Sequence, residues 1–172
     1  VPDNGKLPKT VTGGKSNLES ITIKPHHLLD IYKLHGTGIN NFVPDPRYQH
    51  DFYRIGNLIL TRQIKSIRFT ADADIICTPC IFCQKGICND TFLHYGTKTI
   101  KDQYNRNLDQ TIMTLLAVEP EKEYEYDVIL NLLAQKTTES FINQIWHSNT
   151  KSDNQLRWQN TITGIKKLME PT

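Results

Sequence analysis

Four cysteines, the only ones in the chain, fall within one twelve-residue stretch: Cys77-Thr-Pro-Cys80-Ile-Phe-Cys83-Gln-Lys-Gly-Ile-Cys88. Two C-x2-C steps and one C-x4-C step, bent by Pro79 and Gly86, make a loop that can gather thiolates on one inorganic centre. An even cysteine count also permits two disulfides. Disulfide frameworks gain from closing long loops, however, and the loops available here are very short. Ligation of a metal or cluster is therefore the preferred reading.

The other residues must build a scaffold for that loop. A chain of 172 residues is long enough for one domain that buries roughly 70% of the surface its unfolded form exposes. Residues 1–19 are polar and rich in Gly, Lys and Pro, and read as a flexible arm ahead of a single domain over 20–172. The arm holds Gly13-Gly14-Lys15-Ser16, but the first glycine of a phosphate-binding loop would fall on Lys9, so no nucleotide site is expected there. Lys and Arg total 20 against 18 Asp and Glu, a formal charge of +2. That balance, with its basic residues scattered, gives no reason to expect nucleic acid or a membrane surface as partner. No apolar run approaches the roughly 18 residues of a membrane span, and the first residues lack a signal pattern, which favours a cytoplasmic chain. The sequence begins with Val rather than Met, so its start says nothing about processing.

Periodicity predicts the order of elements. Ile21-Thr-Ile-Lys24 alternates as a short strand, Pro25 suits the first position of a helix, and that helix should run from His26 to His35 and stop at Gly36. Asp45 and Pro46 read as the N-cap and first residue of a second helix, carrying Phe52, Ile55, Leu58 and Ile59 to about Arg62. Ser66 to Thr70 alternates as a second strand and delivers the chain to the cysteines. Beyond them come four helical stripes: Leu108 to Leu116, Val128 to Leu133, Phe141 to Trp146, and Trp158 to Leu168. Ser152-x-x-Gln155 reads as the capping box of the last. The expected fold is α+β, predominantly helical, with a small sheet of two or three strands feeding the cysteine loop.

Thiolates are soft ligands, so the loop suits zinc or an iron-sulfur cluster. Four cysteines could close a structural zinc site, whereas consecutive C-x2-C steps follow the rhythm of loops that wrap a 4Fe-4S cluster. Spacing alone does not separate the two. Ile75, Ile76, Ile81, Phe82 and Ile87 interleave with the cysteines and would shield a redox centre from water, a slight tilt toward the cluster. Polar candidates flank the loop. His26 and His27 open the first helix, and His26 shares a face with Asp30 at i, i+4. His50 and Asp51 fall early in the expected second helix, and Asp72, Asp74 and Asp90 bracket the cysteines.

Three segments, Ile23-Lys-Pro-His26-His27-Leu-Leu, Ala73-Asp74-x-x-Cys77-x-Pro-Cys80 and Gly86-x-Cys88-x-Asp90-Thr91, resemble an uncharacterised prokaryotic family of small cysteine-motif proteins predicted to bind iron-sulfur clusters. The resemblance extends through Lys101-x-x-x-Asn105-x-x-x-Asp109 and covers roughly residues 21–116. It matches Cys77, Cys80 and Cys88 and leaves Cys83 additional. The C-x2-C-Trp element that some of those proteins carry near the C-terminus has no counterpart here. The resemblance implies a cluster that its three matching cysteines leave with a fourth position, open to substrate or filled by Cys83. It also implies that the helix face of Lys101, Asn105 and Asp109 turns toward the loop instead of forming an ordinary solvated pairing.

These readings converge on an iron-sulfur protein with Cys77, Cys80, Cys83 and Cys88 as candidate ligands. An enzymatic form would act on a small polar or anionic substrate held by His26, His27, Asp74 or Asn105; a binding form would pass electrons to a redox partner. Structural zinc in an interaction domain is the alternative.

Overall fold

The computed structural model describes residues 19–171. The expected arm, with Gly13-Gly14-Lys15-Ser16, lies outside the described residues except for Glu19, which opens the first strand. The fold is α+β in a single domain: β1 (Glu19–Ile23), α1 (Pro25–Gly36), α2 (Phe52–Leu60), β2 (Ile64–Phe69), β3 (Cys83–Gln84), β4 (Ile87–Cys88), β5 (Thr91–His94), β6 (Thr97–Ile100), α3 (Lys101–Leu116), β7 (Glu123–Glu125), α4 (Tyr126–Lys136), α5 (Glu139–Ile145) and α6 (Lys151–Met169).

The first sheet has the order β1-β2-β7, with β1 and β2 parallel and β7 antiparallel to β2. Ile21 and Ile23 of β1, and Ile67 and Phe69 of β2, are buried. The helical stripes meet them: Leu28, Ile31 and Tyr32 of α1, Ile55 and Ile59 of α2, Ile112 of α3, Ile129 of α4, Ile142 of α5 and Ile165 of α6 belong to one core. Burying each such side chain contributes about 1.5–3 kcal/mol. α1 and α6 approach closely through glycine. A Cβ on Gly36 would lie 1.8 Å from the Asn160 carbonyl oxygen, and one on Gly164 would lie 1.9 Å from that of Tyr32.

Parallel pairing of β1 with β2 decides where the chemistry sits, because the C-terminal ends of both strands then open on one side of the sheet, where ligand sites of α/β sheets also lie. β1 ends at Lys24 and the paired histidines; β2 ends at the segment leading to Asp74 and Cys77. The Ile75 amide donates to the Thr22 carbonyl at 3.2 Å, and the Asp51 amide donates to the Ile76 carbonyl at 3.1 Å. These bonds fasten the cysteine loop to the sheet and to the start of α2.

Three sequence expectations need correction. The second helix begins at Phe52, because Asp45 uses its carboxylate on the Arg47 amide in a turn and Gln49 adopts a positive φ of 55°. His50 therefore lies in a loop and Asp51 at the N-cap, instead of within the helix. The last helix is capped by Thr150, whose side chain accepts from the Asp153 amide, instead of by Ser152. Two hairpins appear where no strand was expected, β3-β4 within the cysteine loop itself and β5-β6 directly after it. Among the described residues, no helix is long and apolar enough to cross a membrane.

Candidate metal centre

Asp74 organises the loop. It is 3% exposed, and its Oδ2 accepts from the Lys24 amide at 2.7 Å and from His27 Nδ1 at 2.8 Å. Its Oδ1 accepts from the Ile76 amide at 3.1 Å and the Cys77 amide at 2.9 Å. Four donors occupy the acceptor capacity of the carboxylate. One side chain thus joins the end of β1, the head of α1 and the first cysteine. Burial opposes ionisation of Asp74, but His27 and the amide donors outweigh it and hold the carboxyl well below its ordinary range.

Asp109 does the same for the other histidine. It is fully buried on α3, and its Oδ1 accepts from the His26 amide at 2.9 Å and from His26 Nδ1 at 2.8 Å. Lys24 Nζ stands 3.7 Å from its Oδ2 and donates to the Ala71 carbonyl at 3.0 Å. The i, i+4 relation of His26 with Asp30 is therefore not the bond that forms. Asp30 instead pairs with Lys33 and, at 2.7 Å, with Arg157 of α6, whose guanidinium lies 4.1 Å from the Trp146 ring centroid.

Both histidines end up alike. A carboxylate only accepts, so each Nδ1 carries the proton and each Nε2 is the nitrogen left over. Neither Nε2 is engaged by, or sealed beneath, the described residues. The two rings lie 4.3 Å apart and line a cavity of about 760 Å³. Carboxylate-oriented imidazoles of this kind are the usual arrangement behind a metal-ligating histidine. Burial lowers the His27 pKa, yet the Asp74 charge raises it by more, and the net shift is upward.

Cys77, Cys80 and Cys88 line the same cavity, and Cys83 is outside its lining. All four thiols are free and half-buried. Turns repeat along the loop: the Cys80 amide donates to the Cys77 carbonyl at 2.9 Å and the Cys83 amide to that of Cys80 at 3.0 Å. The Cys88 amide donates to Asp102 of α3 at 3.0 Å. A nitrogen of His27, an oxygen of Asp74 and the Cys77 thiol lie within 4.8 Å of one another, a candidate metal group in which the Asp74 carboxylate is already engaged and His27 and Cys77 are the members left to hold an ion. No three of the four thiols approach one another that closely. Burial and the negative Asp74 push the Cys77 thiol well above its ordinary pKa; a bound cation would reverse this and hold it as thiolate.

The face of α3 expected to turn toward the loop does so. Lys101 donates to Asp90 and to the Tyr48 hydroxyl, Asn105 lines the cavity, and Asp109 holds His26. Asp72 pairs with Arg106 at the surface, and Asp51 with Arg54. Sequence reasoning missed Tyr48, Tyr104, His94 and Arg157, which also line the cavity. It named His50 without a role. His50 stacks on Tyr48 with centroids 5.3 Å apart, and its Nδ1 is buried without a partner. An aromatic and a histidine in the loop before α2 were the available signal, and nothing in their spacing tied them to the cysteines.

Asp30 supplies a pH prediction. Burial would raise its pKa, but Arg157 and Lys33 outweigh burial and hold it well below the ordinary range. A carboxyl depressed in the folded state contributes stability above its unfolded pKa of about 3.9 and loses it as pH falls further. Thermal unfolding should show Asp30→Asn less stable than the parent chain at neutral pH, with the gap closing below about pH 4. An equal gap at acid and neutral pH would show that the ion pair contributes nothing.

No family model, no curated protein and no solved structure matches the chain.

Proposed function

We propose that this chain is an iron-sulfur protein of the kind implied by its resemblance to the cysteine-motif family, with a 4Fe-4S cluster held by Cys77, Cys80 and Cys88. The observation that carries the reading is the shared cavity: Cys77, Cys80, Cys88 and two carboxylate-oriented imidazoles line one space, and Cys83 is outside its lining. The donor set fits. Four thiolates on a tetrahedral zinc lie only about 3.8 Å apart, whereas a cluster of several irons spreads its ligands more widely, as the separated thiols favour. Ile76 and Phe82 supply the apolar surround.

An iron with no cysteine of its own offers a Lewis-acidic position when the cluster is bound. The chain's own residues favour a small substrate there over simple electron transfer. The acidic side chains at the cavity are committed: Asp30 to Lys33 and Arg157, Asp90 to Lys101, Asp102 to Arg106, and Asp153 to the Tyr95 hydroxyl. The Nε2 atoms of His26 and His27 and the Asn105 amide remain for a ligand. Such groups suit a small polar or anionic molecule, and a cavity of about 760 Å³ is of the size that small-molecule sites have. His26 and His27 are placed to move a proton at Nε2 while Asp109 and Asp74 hold the rings in one tautomer.

A second reading has its own observation. The convergence of His27 and Cys77 beside Asp74 suits a single zinc completed by further thiolates in an interaction domain. Anaerobic purification with absorption spectra and elemental analysis separates the two. The cluster reading expects a coloured protein with about four irons and four sulfides per chain. A colourless protein holding a single zinc and neither iron nor sulfide would overturn it.

A further inference from the structure

Cys83, itself outside the proposed centre, has a partner within it. In the β3-β4 hairpin it lies directly across from Cys88, with Gln84 across from Ile87. The connecting residues Lys85 and Gly86 have φ of 51° and 79°, the signature of a two-residue type I′ turn, whose flanking pair is hydrogen-bonded. On the other side, the Asn89 amide donates to the Phe82 carbonyl at 2.8 Å. Cys83 and Cys88 are thus a non-hydrogen-bonded pair between two hydrogen-bonded ones. Residues so placed point to the same face with Cα atoms about 4.5 Å apart, within the range of about 4.4–6.8 Å that a disulfide spans. Both are half-buried free thiols.

We infer that Cys83 and Cys88 form an oxidation site, closing a cross-strand disulfide that withdraws Cys88 from the cavity. With a low-molecular-weight disulfide such as glutathione disulfide as oxidant, the Cys83 thiolate attacks one sulfur and releases one glutathione. The Cys88 thiolate then displaces the second. Two protein thiols lose two electrons and the two released glutathiones carry away the two protons. The ring so closed is small, so the bond adds little constraint to the unfolded chain and acts as a reversible state of the loop instead of a structural staple. Cys77 and Cys80 also sit at the two ends of a turn, but the hairpin pair alone is fixed by backbone bonds on both sides.

The inference rests on hairpin geometry and not on the identity of the metal. A zinc protein would defeat the cluster reading and leave the disulfide standing. The test treats the full chain, as prepared and after chelation, with glutathione disulfide, then counts free thiols and maps disulfide-linked peptides by mass spectrometry. The chelated chain should lose two thiols with Cys83 joined to Cys88, and the chain as prepared should react at least tenfold more slowly because its Cys88 is occupied. Cys83→Ser and Cys88→Ser, checked for folding by circular dichroism, should each abolish that linkage. A dominant Cys77–Cys80 or Cys80–Cys83 link, four surviving thiols, or glutathione adducts alone would overturn the inference, whereas equal rates before and after chelation would overturn the place of Cys88 in the centre.

Discussion

Asp74→Ala should lower folding stability by about 3–5 kcal/mol, the usual effect of removing one partner from a buried charged network. The loss is large because the carboxylate serves four donors at once. Without it, the amides of Lys24, Ile76 and Cys77 lose their acceptor, and His27 loses the group that fixes its tautomer. Each stranded buried donor costs about 1–3 kcal/mol. Asp74→Asn divides the effect. An amide oxygen at the Oδ1 position still receives the Ile76 and Cys77 amides, while the NH₂ group opposes the Lys24 amide and the His27 Nδ1–H. Asn should therefore keep the cysteine loop seated and disturb His27, with a stability loss between those of the parent and Ala. Urea denaturation measures the first quantity and metal content the second. Equal stability of Asp74→Ala and the parent chain would show that the loop is held by its own turns instead of by this carboxylate.

The same network shows which parts of the fold were legible in the sequence. β1 and α1 could be read because alternation, Pro25 and Gly36 are local signals, each decided within a few residues of where it acts. The start of α2 was misread for an equally local reason: Asp45-Pro46 suits a helix start and a turn alike, and the chain uses it as a turn. The hairpins escaped because β3 and β4 are two residues each, too short for alternation, and their Lys85-Gly86 turn lacks the Asn-Gly or Asp-Gly pair that most strongly marks such turns. β7 is three residues long and exists by pairing with β2, a non-local event.

The site divides along the same line. The cysteines, the paired histidines and Asp74 stood out by residue type and spacing. Their partners did not: His26 meets Asp109 across 83 residues of sequence, and the local candidate Asp30 was taken by Arg157 from the far end of the chain. The Lys101, Asn105 and Asp109 face was assigned to the site only through the family resemblance, since periodicity alone describes a solvated face equally well.

Cys80→Ser should abolish the bound centre, and Cys83→Ser should retain it. The contrast follows from position, because Cys80 lines the cavity with Cys77 and Cys88 whereas Cys83 does not. A serine hydroxyl is a harder and far less acidic donor than a thiol, so a ligand replaced this way should lower metal content at least tenfold on equal purification. Stability gives no reason for the two variants to differ, since both cysteines are half-buried and neither side chain anchors the backbone turns. Iron, sulfide and zinc content of the two variants, prepared anaerobically beside the parent, is the measurement. Equal loss from both would make Cys83 an obligatory ligand and close the position that a substrate would need, leaving electron transfer or structural zinc as the surviving readings. Retention by Cys83→Ser would leave this residue one assigned chemistry, its oxidation with Cys88. The same variant would then be expected to hold its centre while losing the disulfide, so that metal binding and thiol oxidation are separated at a single side chain.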